Sequence, residues 1–160
     1  MSTVTADIVV ESELWASQPQ AEAIVRAAIA AAAPHSTDGG EVSILLSDDS
    51  AVRELNRQWR GLDQPTNVLS FPAAKTPAAQ GHLGDIVIAY ETLQKECEDE
   101  SRDFLHHLAH LSVHGFLHLI GYDHQNDAEA AEMEGIESKI MISLRMPDPW
   151  LGRDLAHGDV

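Results

Sequence analysis

Nine histidines stand in this chain of 160 residues, and three of them have the spacing of a metal site. His114 and His118 are four residues apart in an apolar stretch that reads as helix. Both rings therefore project from one face and can reach one ion. Gly121 permits a backbone turn that residues with a Cβ resist, and that turn can bring His124 back to complete three nitrogens. Three neutral imidazoles leave one position open on tetrahedral zinc, the arrangement of a catalytic site. Structural zinc sites fill all four positions, commonly with thiolates, and the chain has a single cysteine, Cys97. The expectation is one Zn2+ per chain, held by His114, His118 and His124 and used to hydrolyse a bond. The same donors also suit nickel, copper or iron.

The pattern His-x-x-x-His-x-x-Gly-x-x-His matches the ligand frame of the metzincin proteases as well. Those enzymes carry a glutamate directly after the first histidine as general base, and this chain has Gly115 there. Peptide hydrolysis is therefore the weaker reading. His110 lies one turn before His114 and reads as a packed or supporting residue rather than a ligand. His106 and His107 read as surface or rim residues, and His35, His82 and His157 need no special role.

Few cations exist, yet Arg53, Arg57 and Arg60 share one face of a helix. Arg53 and Arg57 read as partners of Glu54 or Asp49 on a solvated surface. Arg60 differs, because it ends the helix and leads straight into residues 61–71. A guanidinium grips a phosphate with two parallel hydrogen bonds. Near a metal centre it would offset the charge that grows when phosphorus is attacked, so Arg60 is the candidate catalytic residue. The proton donor and acceptor stay open between Asp123 and His110.

Stepping along the chain, residues 6–11, 41–47, 66–71 and 84–90 read as strands by alternation or short apolar runs. Residues 19–33 have apolar spacing of helical period, and Asp48 or Asp49 can cap a helix to Arg60 with Val52, Leu55 and Trp59 on its buried side. Residues 72–81 have the composition of an exposed loop. From Glu91 onward the pattern is helical, with a strongly apolar helix over 101–120 stopped by Gly121 and another over 128–144. The acidic run Glu96, Glu98, Asp99 and Glu100 reads as a solvated face. This order predicts one α/β domain over residues 1–150, a small mixed four-stranded sheet packed against several helices. The metal site falls at the C-terminal end of a central apolar helix, and residues 151–160 form a polar tail.

Ten Lys and Arg against 26 Asp and Glu give a formal charge of −16. Such a surface repels phosphate at long range and excludes a protein that coats DNA or RNA through a basic face. No apolar run approaches the ~18 residues that a membrane span needs. Cys97 can form no intrachain disulfide and fits a reducing compartment, so a cytoplasmic location is expected.

Leu55-Asn56 and Arg60, the run Pro65-Thr66-Asn67-Val68-Leu69-Ser70-Phe71-Pro72, residues 83–88 and the long histidine segment 110–124 occur in this order and spacing. Together they resemble the YbeY family of bacterial ribosomal-RNA maturation endoribonucleases over roughly residues 5–150. Asn67 stands where many members have Asp. The resemblance implies a metal-dependent endoribonuclease that prefers single strands and acts in 16S rRNA 3′-end maturation and ribosome quality control. It implies zinc on His114, His118 and His124 and a functional Arg60. Its partners would be ribosomal RNA and the small ribosomal subunit, with ribosome-associated proteins beside them, and neither DNA nor a membrane. A non-catalytic ribosome-assembly factor with a structural metal is the rival from another class.

Overall fold

Alternate residues of one strand divide the core in two. In the computed structural model, which describes residues 3–73 and 81–150, β1 (Val4–Val10), β2 (Gly40–Ser47), β3 (Val68–Pro72) and β4 (His82–Ala89) form one sheet in the order β1-β2-β4-β3. β1, β2 and β4 run parallel and β3 is antiparallel to β4, so the mixed α/β architecture read from the sequence is present. Five helices accompany it: α1 (Ala21–Ala32), α2 (Asp49–Arg60), α3 (Tyr90–Glu100), α4 (Phe104–Leu119) and α5 (Asp127–Ser143). Ile86 and Ile88 of β4 join Val42, Ile44 and Leu46 in the main core, together with buried residues of α1 and α4. Val87 and Ala89 belong to a second cluster with Leu69 of β3 and Val52 of α2. Because successive side chains of a strand leave opposite faces, a strand covered on both sides reads as a continuous apolar run, as β4 does.

Eleven of the sixteen residues of α4 are buried. A helix apolar nearly all round is satisfied only in an interior, and α4 packs against α1, α3, α5, β3 and β4. Asp103 caps it by accepting from the His106 N–H at 3.1 Å. Among the described residues, no helix is long and apolar enough to cross a membrane.

The buried side of α2 carries Val52 and Leu55 as expected, but not Trp59. Trp59 is 65% exposed, its ring in an edge contact with that of Phe71 at a centroid distance of 6.3 Å. Asn56 is buried in its place. The Asn56 amide donates to the Gln64 carbonyl at 2.9 Å, so the turn after α2 folds back over this polar residue and encloses it, while Trp59 stays outside. The expected tail over 151–160 and most of the loop over 72–81 lie outside the described residues, as does His157.

Candidate metal centre

Two histidines of α4 and one from the turn beyond it come together at one place. Ligand atoms of His114, His118 and His124 all lie within 4.8 Å of one another. His114 and His118 come from successive turns of α4, and their Nε2 atoms are 3.1 Å apart. Two nitrogens on one tetrahedral zinc sit about 3.3 Å apart, given Zn–N bonds of about 2.0–2.1 Å. The spacing therefore fits one ion on both rings. Gly121, at φ +107°, makes the turn beyond α4. Tyr122 then donates its N–H to the Leu117 carbonyl at 3.0 Å, folding the chain back. The Asp123 carboxylate accepts from the His124 N–H at 2.8 Å, and Asn126 caps α5 immediately afterwards. His124 is thus held between two fixed ends, its ring 5.0 Å from that of His118 and 5.7 Å from that of His114.

Electrostatics favour ligation. Burial depresses the His118 pKa below the ordinary histidine value, and His114 and His124 nearby push in the same direction, so the ring is neutral with a free lone pair. The donor set is all imidazole, without thiolate or carboxylate in the cluster.

Gly115 is required by packing. A Cβ at this position would lie 2.9 Å from Ile86 Cγ2 and 3.1 Å from Ser70 Oγ. Helix α4 approaches the sheet so closely here that even a Cβ would press on Ile86 and Ser70, and a longer side chain such as the glutamate base of a metzincin would be more crowded still.

The sequence reading missed the residue on which much of the centre rests. Glu137 of α5 is 0% exposed. Its Oε2 accepts from His114 Nδ1 at 2.6 Å, and its Oε1 accepts from His110 Nε2 at 2.9 Å and from Trp150 Nε1 at 2.8 Å. Burial opposes its ionisation, but the bonds from His110 and His114 outweigh that and hold the carboxyl at about 2. A signal was present: Met133, Glu137, Ile140 and Met141 are the buried residues of α5, an acid inside an apolar stripe of helical period. His110 accordingly supports the centre and is not among the clustered ligands. Burial depresses its pKa, so the neutral ring donates from Nε2 and leaves Nδ1 as a buried lone pair.

Two further expectations are corrected. His107 is buried, not a rim residue, and Glu96 is not simply solvated. Helix α3 packs on α4 and brings Glu96 against His107, 2.8 Å from Nε2. Asn67 donates from its amide to both oxygens of Glu96, at 3.0 and 3.2 Å, a pairing that gives it a structural part.

Of the three arginines on α2, Arg53 pairs with Asp63 rather than with Glu54 or Asp49, and Arg57 pairs with Glu54. Arg60 is exposed at the end of the helix and has no ion-pair partner among the described residues. It precedes the turn into β3, whose Ser70 reaches the residue next to His114. Asp85 lies 3.3 Å from His82 Nε2 and is not part of the His114–His118–His124 cluster.

The chain matches the family model for endoribonuclease YbeY over residues 8–145. An endoribonuclease YbeY of Bradyrhizobium sp. strain BTAi1 is 47% identical over 159 residues, covering 94% of each chain. One from Nitrobacter hamburgensis is 51% identical over 153 residues, covering 90% of this chain and 80% of its own. The solution structure of TM1509 from Thermotoga maritima shares the fold, with a TM-score of 0.57 at 23% identity, over 88% of this chain and 91% of that one. With most of its length matched at this identity, the chain belongs to the YbeY family of endoribonucleases.

Proposed function

We propose that this chain is a zinc-dependent endoribonuclease, specific for single strands, that acts in 16S rRNA 3′-end maturation and in ribosome quality control. The observation that carries the reading is the convergence of three imidazole donors within 4.8 Å in a chain of this family. Naming of the relatives as endoribonucleases supports RNA as the substrate.

In this reading residues 1–150 act as one domain in the cytoplasm, and His114, His118 and His124 hold one zinc ion. Such an ion supplies a Lewis acid that acidifies water near neutral pH and polarises a phosphoryl oxygen. Arg60 grips the scissile phosphate through two parallel N–H donors and offsets its growing negative charge. Among the described residues that guanidinium has no ion-pair partner, which leaves it available for the task. A formal charge of −16 makes unaided RNA binding weak, so the small ribosomal subunit or a ribosome-associated protein delivers the substrate.

The test is cleavage of matched single-stranded and duplex RNA by protein of known metal content. One equivalent of zinc and cleavage confined to the single strand is the expected result. A folded protein that takes up zinc but cuts neither RNA nor ribosomal particles would leave the assembly-factor reading. Attack by water yields no 2′,3′-cyclic phosphate, so finding that end would assign the ribose 2′-hydroxyl as nucleophile.

A further inference from the structure

A fully buried carboxylate is expensive to keep. Replacing a buried ionic group and its partners with packed apolar residues is often neutral or stabilising. Glu137 nevertheless stands buried between α5 and α4 with three donors converging on it. Their arrangement is asymmetric. Oε1 is gripped from two sides, by His110 Nε2 and Trp150 Nε1, which fixes the plane of the carboxylate. Oε2 is left for one partner only, His114 Nδ1, at the short distance of 2.6 Å. The Trp150 ring stands at 90° to that of His110, with centroids 5.5 Å apart, so the two donors also brace each other.

This geometry decides which nitrogen of His114 carries the proton. An ionised carboxylate can only accept, so the hydrogen of a neutral His114 ring sits on Nδ1 and the lone pair on Nε2. Nε2 is the atom that lies 3.1 Å from Nε2 of His118, on the side where the three ligands meet. Metal-binding histidines are commonly oriented in this way by a carboxylate on the other nitrogen.

We infer that Glu137 is a positioning residue for the metal centre. It locks His114 in the tautomer that presents Nε2 to an ion, while His110 and Trp150 hold the carboxylate in place. The inference rests on the metal reading above and adds the residues that make the site receptive before any ion arrives. It also makes the 147–150 segment after α5 part of the centre, through Trp150.

The experiment uses the full chain, Glu137→Gln beside wild type, with two readouts. Nitrogen-15 NMR of the histidine rings in metal-free wild type, at mildly alkaline pH, should show His114 protonated on Nδ1. Protonation on Nε2 would overturn the inference whatever the metal does. Zinc affinity is then measured by chelator competition, with thermal unfolding alongside. In the variant, Oε1 still accepts from His110 and Trp150, so the new amide NH2 faces His114 Nδ1. That atom becomes an acceptor and its proton moves to Nε2, blocking the ligand position. Zinc binding by a folded Glu137→Gln protein should weaken by about 10- to 100-fold. Unchanged affinity would overturn the positioning role. A wild type that takes up no zinc would sink the metal reading instead, and the tautomer measurement would still judge Glu137. The same measurement decides the matter if the variant fails to fold.

Discussion

The Ser70 hydroxyl donates a 3.0 Å hydrogen bond to the carbonyl of Gly115, tying β3 to α4 one residue beyond His114. The contact is possible because residue 115 has no side chain: helix and sheet meet at a separation that a Cβ would violate. Gly115→Ala should therefore destabilise the fold by about 1–3 kcal/mol, as overpacking does. Urea unfolding checks this, and a variant as stable as wild type would show that Ile86 yields easily.

Arg60→Ala should leave folding and zinc content unchanged, since the side chain makes no ion pair among the described residues. RNA cleavage should fall by about 100- to 1,000-fold if the guanidinium offsets charge in the transition state. Arg60→Lys should recover only part of the loss, because an ammonium lacks the planar fork. Full activity in folded Arg60→Ala would remove the arginine from the mechanism.

Elemental analysis of protein purified without chelators should find one zinc in wild type and none retained in His118→Ala. Two imidazoles are a poor site for zinc, and loss of either helix ligand leaves two. Persistent stoichiometric zinc in the variant would place the ion elsewhere.

Acid should unfold the metal-free protein through the histidine–carboxylate core. Glu137 is held at about 2 in the fold against an ordinary 4.5, so its stabilisation is complete above 4.5 and is lost as pH falls towards 2. His110, depressed below 6.5 chiefly by burial, acts in the same sense, because the unfolded chain takes up its proton first. Unfolding free energy measured across this range should drop on acidification, with a flatter profile below pH 4.5 in Glu137→Gln. Equal slopes in the two proteins would refute the assignment.

Cys97 should be inert. Burial, reinforced by Glu96, pushes its thiol up to about 11, and only the thiolate is a good nucleophile. Iodoacetamide at neutral pH should label it only after denaturant is added; prompt labelling of the native protein would show that α3 opens readily.

Much of the molecule was legible because it depends on short-range periodicity. The apolar run of 84–90, the spacing of His114 and His118 and the glycine turn to His124 are local patterns. Local patterns dictate strand, helix face and turn before any tertiary contact forms. The charge of −16 and the single cysteine were likewise properties of composition. What composition and period could not supply were pairings between distant segments. Glu137 is 23 residues from His114, and Glu96 is 11 from His107. Neither spacing has meaning until α5 and α3 dock on α4. Trp59 was misplaced for a related reason: helical period puts it on the buried side, whereas the structure encloses Asn56, whose amide bonds a turn that period alone does not describe. The cluster of His114, His118 and His124 could be anticipated from sequence because one helix and one turn carry it. The carboxylate that orients His114 could not, because burial and partnership are decided only when separate helices share a core.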